Sequence, residues 1–314
     1  MTKLNIKIPR LCNFYNQRRS IFVQTLFQLK DFYRAIQYML ISTSLFGLMN
    51  ALVKFFVDYP TFELVFFRSA VSLVIGFFYL KTYKTPIWGN QKWLLLLRAC
   101  LGTTSMVLFF VSVHYISLGS AVTLRYTAPL FAAFLAVIFL RETIKPIQWF
   151  FFCITFLGVV LVKGYDPTVS LFGFSIALLS SFFSACVYIV LNKIGHGDRP
   201  VVVVFYFMLI ATIVGAIGMC FTEWRSPDLW HWPGLLLLGT FGFLAQLFMT
   251  KAFRTYEANM VAPFKYVEVF FTLGFGVFIF HEQYQVLSLL GIFFIIFGLI
   301  LNIRFKAKWQ KKVS

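Results

Sequence analysis

Six residues return at one spacing. Gly102, Arg125, Tyr126, Phe131, Glu142 and Gly158 recur 140 positions later as Gly242, Lys265, Tyr266, Phe271, Glu282 and Gly298, and the apolar segments around them recur with them. Each copy holds five such segments. An odd number of membrane crossings per copy turns the second copy upside down relative to the first. Inverted repeats of that kind build secondary transporters, with a substrate site where the halves meet.

The apolar segments require a bilayer. Hydrophobic residues make up 60% of the 314-residue chain and charged residues 12%, with 42 phenylalanines. A soluble domain cannot bury that much apolar surface, whereas lipid solvates it. The ten spans run over 35–57, 62–80, 93–115, 118–140, 146–163, 171–193, 200–221, 233–253, 258–280 and 286–303. Each is long enough to cross a hydrocarbon core of ~30 Å, and Pro60, Pro86, Pro146, Pro200 and Pro233 stand in or beside the short connections. The expected fold is an all-α polytopic membrane protein, ten transmembrane helices in two inverted five-helix repeats over 35–163 and 171–303.

A net charge of +17 would suggest nucleic acid as the partner of a soluble protein. Here position decides otherwise, and no nucleic-acid partner is expected. If the N-terminus is inside, 21 of the 28 Lys and Arg fall in inner segments and two, Lys163 and Arg225, in outer ones. That bias places both termini in the cytoplasm and the protein in the cytoplasmic (inner) membrane. Residues 1–34 form a basic cytoplasmic head, read either as a short helix on the lipid surface or as a disordered tail. Residues 304–314 form a basic cytoplasmic tail. Cys12, Cys100, Cys153, Cys186 and Cys220 lack redox or metal spacing, and His114, His196, His231 and His281 form no zinc pattern. No metal and no cofactor are expected.

Charges inside the spans carry the functional signal, because each costs roughly 2.5–3.5 kcal/mol at a helix centre on insertion scales. Arg125 and Lys265 are repeat equivalents, each seven residues into its span, so the fold brings two cations toward the midplane from opposite sides. Glu268 follows Lys265 by three residues, on the same helix face. Three roles stay open for it: neutralising Lys265, reaching Arg125, or binding a proton. Arg68 either lines a cavity or pairs with Glu63. Lys54 and Arg98 are expected to snorkel from span ends to water. Tyr126 and Tyr266 follow the two cations directly, so either the tyrosines or the cations face the cavity. Asn50, Ser44, Gln246 and Thr250 are further polar groups within spans. Pro129 and Pro263 are expected to kink spans four and nine beside the cations and act as hinges. Glu142 and Glu282 are expected to tie helix ends together. Ala177, Ser181 and Ala185, with Gly239, Gly242, Gly291 and Gly298, are read as close-packing points between helices.

The run from Ala121 through Pro129 to Arg141–Glu142, repeated from Ala258 to Glu282, resembles the EamA domain of the drug/metabolite transporter superfamily, as do the ten spans over roughly 35–305. The family pattern also places a lysine near the end of span one, matched by Lys54, and an arginine in span two, matched by Arg68. Repeat two departs from it, with Phe207 or Met208 where Arg68 would recur. The resemblance implies a central cavity lined by spans one to four and six to nine, with five and ten peripheral. The expected function is secondary transport of a small metabolite, anionic or zwitterionic, by alternating access. The expected substrate-binding set is Arg125, Lys265, Glu268, Tyr126, Tyr266, Arg68, Asn50 and Gln246. The expected partners are the small-molecule substrate and membrane lipid, with pairing into a homodimer left open. The alternatives are a non-transporting membrane scaffold or receptor and a membrane-embedded enzyme, for which no catalytic set is visible.

Overall fold

A computed structural model describes the backbone of residues 8–140, 145–164, 170–194, 197–255 and 262–313, with side chains over most of 31–305. Eleven α-helices and one 3₁₀ helix are described: α1 (Ile8–Phe55), α2 (Thr61–Thr82), α3 (Lys92–Tyr115), α4 (Leu118–Arg125), α5 (Ala128–Leu140), α6 (Pro146–Gly164), α7 (Leu171–Ile194), α8 (Pro200–Met219), α9 (Trp232–Thr255), the 3₁₀ helix (Ala262–Tyr266), α10 (Val267–Phe278) and α11 (Val286–Val313). The backbone of α1 is helical from Ile8 onward, with no break at residue 34. Six helices, α1, α2, α3, α7, α8 and α9, are long and apolar enough to cross a membrane. Shorter apolar stretches lie at Pro146–Leu161 in α6 and Val286–Asn302 in α11. Outward faces are apolar, with Phe77, Phe78, Phe150, Phe156, Phe278 and Phe293 all exposed. So many large apolar side chains facing outward need lipid rather than water around them.

The two predicted spans that carry Arg125 and Lys265 are not single helices. Span four breaks between α4 and α5, and span nine changes from 3₁₀ to α at Tyr266. Pro129 is the second residue of α5, and Pro263 is the second residue of the 3₁₀ helix. Proline lacks the N–H that would bond the carbonyl four residues back, which for Pro129 is the carbonyl of Arg125. That oxygen instead accepts a hydrogen bond from Ser181 Oγ on α7 at 3.3 Å. A backbone group freed within a membrane segment thus finds a partner on a neighbouring helix.

The packing is two-fold. The first span packs on the eighth (α1 on α9) and the third on the sixth (α3 on α7). The second packs on the eighth (α2 on α9) and the third on the seventh (α3 on α8). The first packs on the ninth (α1 on α10) and the fourth on the sixth (α4 and α5 on α7). Spans two and seven, four and nine, and five and ten meet their own counterparts. Each of these contacts between the halves therefore returns when the copies are exchanged, whereas α11 also packs on α4 without a counterpart of like extent between α6 and the ninth span among the described residues. The hydrogen bonds repeat as well: Ser42 Oγ donates to the Ala245 carbonyl at 2.8 Å, and Ser180 Oγ to the Ser105 carbonyl at 2.7 Å. The acceptors, residues 105 and 245, stand 140 positions apart.

Spans five and ten touch through glycine. A Cβ on Gly158 would lie 2.6 Å from the Gly291 carbonyl oxygen, and one on Gly298 would lie 2.8 Å from that of Phe151. These repeat-equivalent glycines let α6 and α11 approach backbone to backbone, as membrane helices do where small residues meet. Gln148 Nε2 donates to Asn302 Oδ1 across the same contact at 2.9 Å.

Candidate functional site

A cavity of about 100 Å³ lies between the halves. Among the described residues its walls come from α1, α2, α3, α4, α7, α8, α9 and the 3₁₀ helix, and none from α6 or α11. Spans one to four and six to nine thus surround the cavity, while five and ten brace each other outside it.

Four cations line this space: Arg68, Arg98, Arg125 and Lys265. Each rests on an aromatic face. The Arg125 guanidinium carbon is 4.5 Å from the Phe109 ring centre, and Lys265 Nζ is 5.4 Å from that of Tyr126. The guanidinium carbons of Arg98 and Arg68 lie 4.6 Å and 5.8 Å from the centre of Phe207. Among the described residues none of the four forms an ion pair with a carboxylate. A ring quadrupole attracts a cation without cancelling its charge, so the chamber keeps a positive potential.

Arg68 does not pair with Glu63. It is 3% exposed, its Nε faces Met49 Sδ at 3.2 Å, and its Nη1 faces Met106 Sδ. Thioether sulfur is only a weak acceptor. Glu63 instead accepts the Arg225 backbone N–H at 2.7 Å. Repeat-equivalent glycines make room for the arginines. A Cβ on Gly242 would come 3.1 Å from Arg68 Nε, and one on Gly102 would come 3.2 Å from the Phe207 ring that supports Arg98. Phe207, where the second repeat departs from the first, is therefore the platform for both.

Glu268 is 1% exposed in the first turn of α10. Its two oxygens accept from neutral donors, Asn50 Nδ2 at 2.8 Å and the Tyr126 hydroxyl. The same hydroxyl lies 3.2 Å from the Lys265 carbonyl oxygen. Neither Lys265 nor Arg125 reaches Glu268 as an ion pair. The cations face the cavity, whereas Tyr126 and Tyr266 are buried against each other, ring centres 5.3 Å apart and planes at 79°. Gln246 lines the cavity, and its Oε1 is buried without a partner among the described residues, as is Asn50 Oδ1. Ser44 and Thr250 return their hydroxyls to Leu40 and Gln246 on their own helices.

Two expectations need correction. Arg98 does not snorkel to water; it is 6% exposed and lines the cavity. Its place six residues into span three suggested an end position, but the helix turns the side chain inward over Phe207. Lys54 does not simply reach for water either. It bridges Glu282 at 3.4 Å and donates to the Val113 carbonyl at 3.3 Å. Glu282 also accepts the Leu118 N–H at 3.0 Å, tying α1, α4 and the link after α10. Its repeat partner Glu142 lies outside the described residues, as do the side chains of Pro129 and Pro263.

The EamA-like transporter family matches this chain twice, over residues 33–164 and 171–304. The pseudopaline exporter of Pseudomonas aeruginosa is 28% identical over 249 residues, covering 78% of this chain and 87% of that protein. The human solute carrier family 35 member G1 is 28% identical over 266 residues, covering 78% and 72%. The S-adenosylmethionine uptake transporter of Rickettsia conorii is 25% identical over 228 residues, covering 71% and 76%. A solved crystal structure shares the fold with a TM-score of 0.61 at 14% identity, covering 86% of this chain and 94% of that one. Two matched copies, a two-fold bundle and a charged chamber between its halves lead to one assignment: the chain belongs to the EamA-like transporter family.

Proposed function

We propose that this transporter carries a small anionic or zwitterionic metabolite across the cytoplasmic membrane by alternating access. The observation that carries the reading is the set of four cavity cations held on aromatic rings with no carboxylate partner. Unpaired charge at membrane depth is costly unless a partner arrives, and an acid group on the substrate supplies one. Arginine grips carboxylate or phosphate through two parallel hydrogen bonds. Arg125 and Lys265 form the primary grip, Arg68 and Gln246 flank it, and Glu268, Asn50 and the tyrosine pair hold the broken helices in place around it.

The substrate class also draws on the relatives, which by name move pseudopaline or S-adenosylmethionine, one outward and one inward. The ten-crossing count draws on the two broken spans, 118–140 and 258–280, each divided beside its cavity-lining cation. Lys54 near the end of α1 meets Glu282 just before α11. The last helix therefore starts where the first one finishes and leads back, which suits two termini on one side. The cavity of about 100 Å³ is smaller than the ~300–1,000 Å³ of ligand pockets. Loading then requires the halves to part, and the breaks at Arg125 and Tyr266 are the places for that movement.

Uptake and efflux of labelled metabolites by reconstituted vesicles test the reading. Arg125→Gln is expected to insert normally and to abolish transport. An unchanged rate removes Arg125 from the site, and movement of cations alone overturns the substrate class.

A further inference from the structure

The four cavity cations form two pairs on different supports. Arg125 on Phe109 and Lys265 on Tyr126 belong to the broken spans. Arg68 and Arg98 share one ring, Phe207 of α8. This second pair stands on the long unbroken helices α2 and α3. Gly102, one turn beyond Arg98, leaves the space that the ring occupies. The Arg98 Nε and Nη1 atoms are buried and have no hydrogen-bond partner among the described residues. A guanidinium carries five N–H donors, and leaving them unmade in a buried place is unfavourable. Arg68 is no better satisfied, since its described partners are two methionine sulfurs.

One carboxylate brings a single negative charge and two oxygens, too few for four cations around one cavity. Bound at Arg125 and Lys265, it leaves two buried guanidinium groups on Phe207 uncompensated. We infer that the transported compound carries two acidic groups, carboxylate or phosphate, and that the Arg68–Arg98 pair takes the second while Arg125 and Lys265 take the first. Arg98 is then the residue that separates diacids from monoacids. The inference rests on the anionic-substrate reading above and narrows it.

A matched series of acids tests it on the full chain in lipid nanodiscs. Linear α,ω-dicarboxylates from malonate to suberate are compared with monocarboxylates of equal length, by the concentration that raises the melting midpoint. At one chain length the dicarboxylate is expected to act at a concentration at least about tenfold lower than its monocarboxylate, a margin of one decade in affinity. Arg98→Gln is expected to erase that margin by weakening the diacid while the monoacid still binds. Equal action of diacids and monoacids on the wild type overturns the inference and leaves the anionic reading standing. Arg98→Gln weakening both acids equally also overturns it. No shift from either series sinks the anionic reading, and this inference with it. If Arg98→Gln does not assemble, Phe207→Leu removes the platform of both guanidinium groups, and an undiminished diacid preference in that variant overturns the proposal.

Discussion

The ring of Tyr126 meets the ring of Tyr266 edge to face, 5.3 Å between centres, although 140 positions separate them in the chain. They are repeat equivalents, so the two-fold relation between the halves passes through this contact. Each follows a cavity cation, and each ends or begins a helix at the break in its span. The contact fixes where the two broken spans cross and hence which way Arg125 and Lys265 point.

The two tyrosines are not equal in what their hydroxyls do. That of Tyr126 donates to buried Glu268. Tyr126→Phe keeps the ring contact but leaves the Glu268 side chain with Asn50 as its remaining described donor, costing about 1–3 kcal/mol for a buried polar group left without its partner. Tyr266→Phe keeps the ring and is expected to cost less. Melting midpoints in detergent give the order, and equal losses would show that the rings alone matter.

The glycine contact between spans five and ten makes a prediction with its own control. Alanine at 158 or 298 drives a methyl group against backbone atoms of the facing helix, and overpacking of that kind costs about 1–3 kcal/mol. Gly274 of α10 would place a Cβ with nothing within 4 Å, so Gly274→Ala is expected to be neutral or to gain up to ~1 kcal/mol from helix propensity. Thermal midpoints of the three variants check this. A loss at 274 equal to that at 158 would remove the packing explanation.

These pairings show what was legible in the chain before folding. The 140-residue offset marks Arg125, Lys265 and the glycine pairs, because a duplicated fold keeps equivalent residues in equivalent places. Hydropathy finds the spans but not their rotation. A place near the start of span three therefore marks Arg98 as an end residue, though its helix aims it at Phe207. Local spacing sets Glu268 beside Lys265, whereas its partners Asn50 and Tyr126 come from 218 and 142 residues away. Proline predicted a kink in span four, but a full break also needs a partner for the freed carbonyl, and Ser181 belongs to a different helix.

That partner supplies the third prediction. Ser181 Oγ covers the Arg125 carbonyl and also lies 2.8 Å from Thr127 Oγ1. Ser181→Ala leaves the freed carbonyl uncovered and is expected to cost about 0.6–2 kcal/mol, the range of interhelical hydrogen bonds in membranes. Pro129→Ala acts in the opposite sense. It restores the N–H, favours a continuous span four and is expected to slow transport without lowering the melting midpoint. Normal transport by Pro129→Ala would mean that the break is passive.

The last prediction concerns the link between α10 and α11, where Glu282 joins Lys54, Leu118 N–H and the Tyr284 hydroxyl. Burial first, and then the negative charge of Glu282, hold the Tyr284 hydroxyl well above its ordinary value of 10.0. The folded state thus keeps this proton after the unfolded chain has lost it. Stability falls with pH wherever the unfolded state binds fewer protons. The contribution of Tyr284 is complete below pH 10 and is lost above it, at up to about 1.4 kcal/mol per pH unit for one proton. Tyr284→Phe has no proton to release. Its melting midpoint is expected to start lower at neutral pH, because the bond to Glu282 is gone, and to fall less steeply above pH 10. Parallel curves for the two proteins would show that this hydroxyl ionises alike in the folded and unfolded chains.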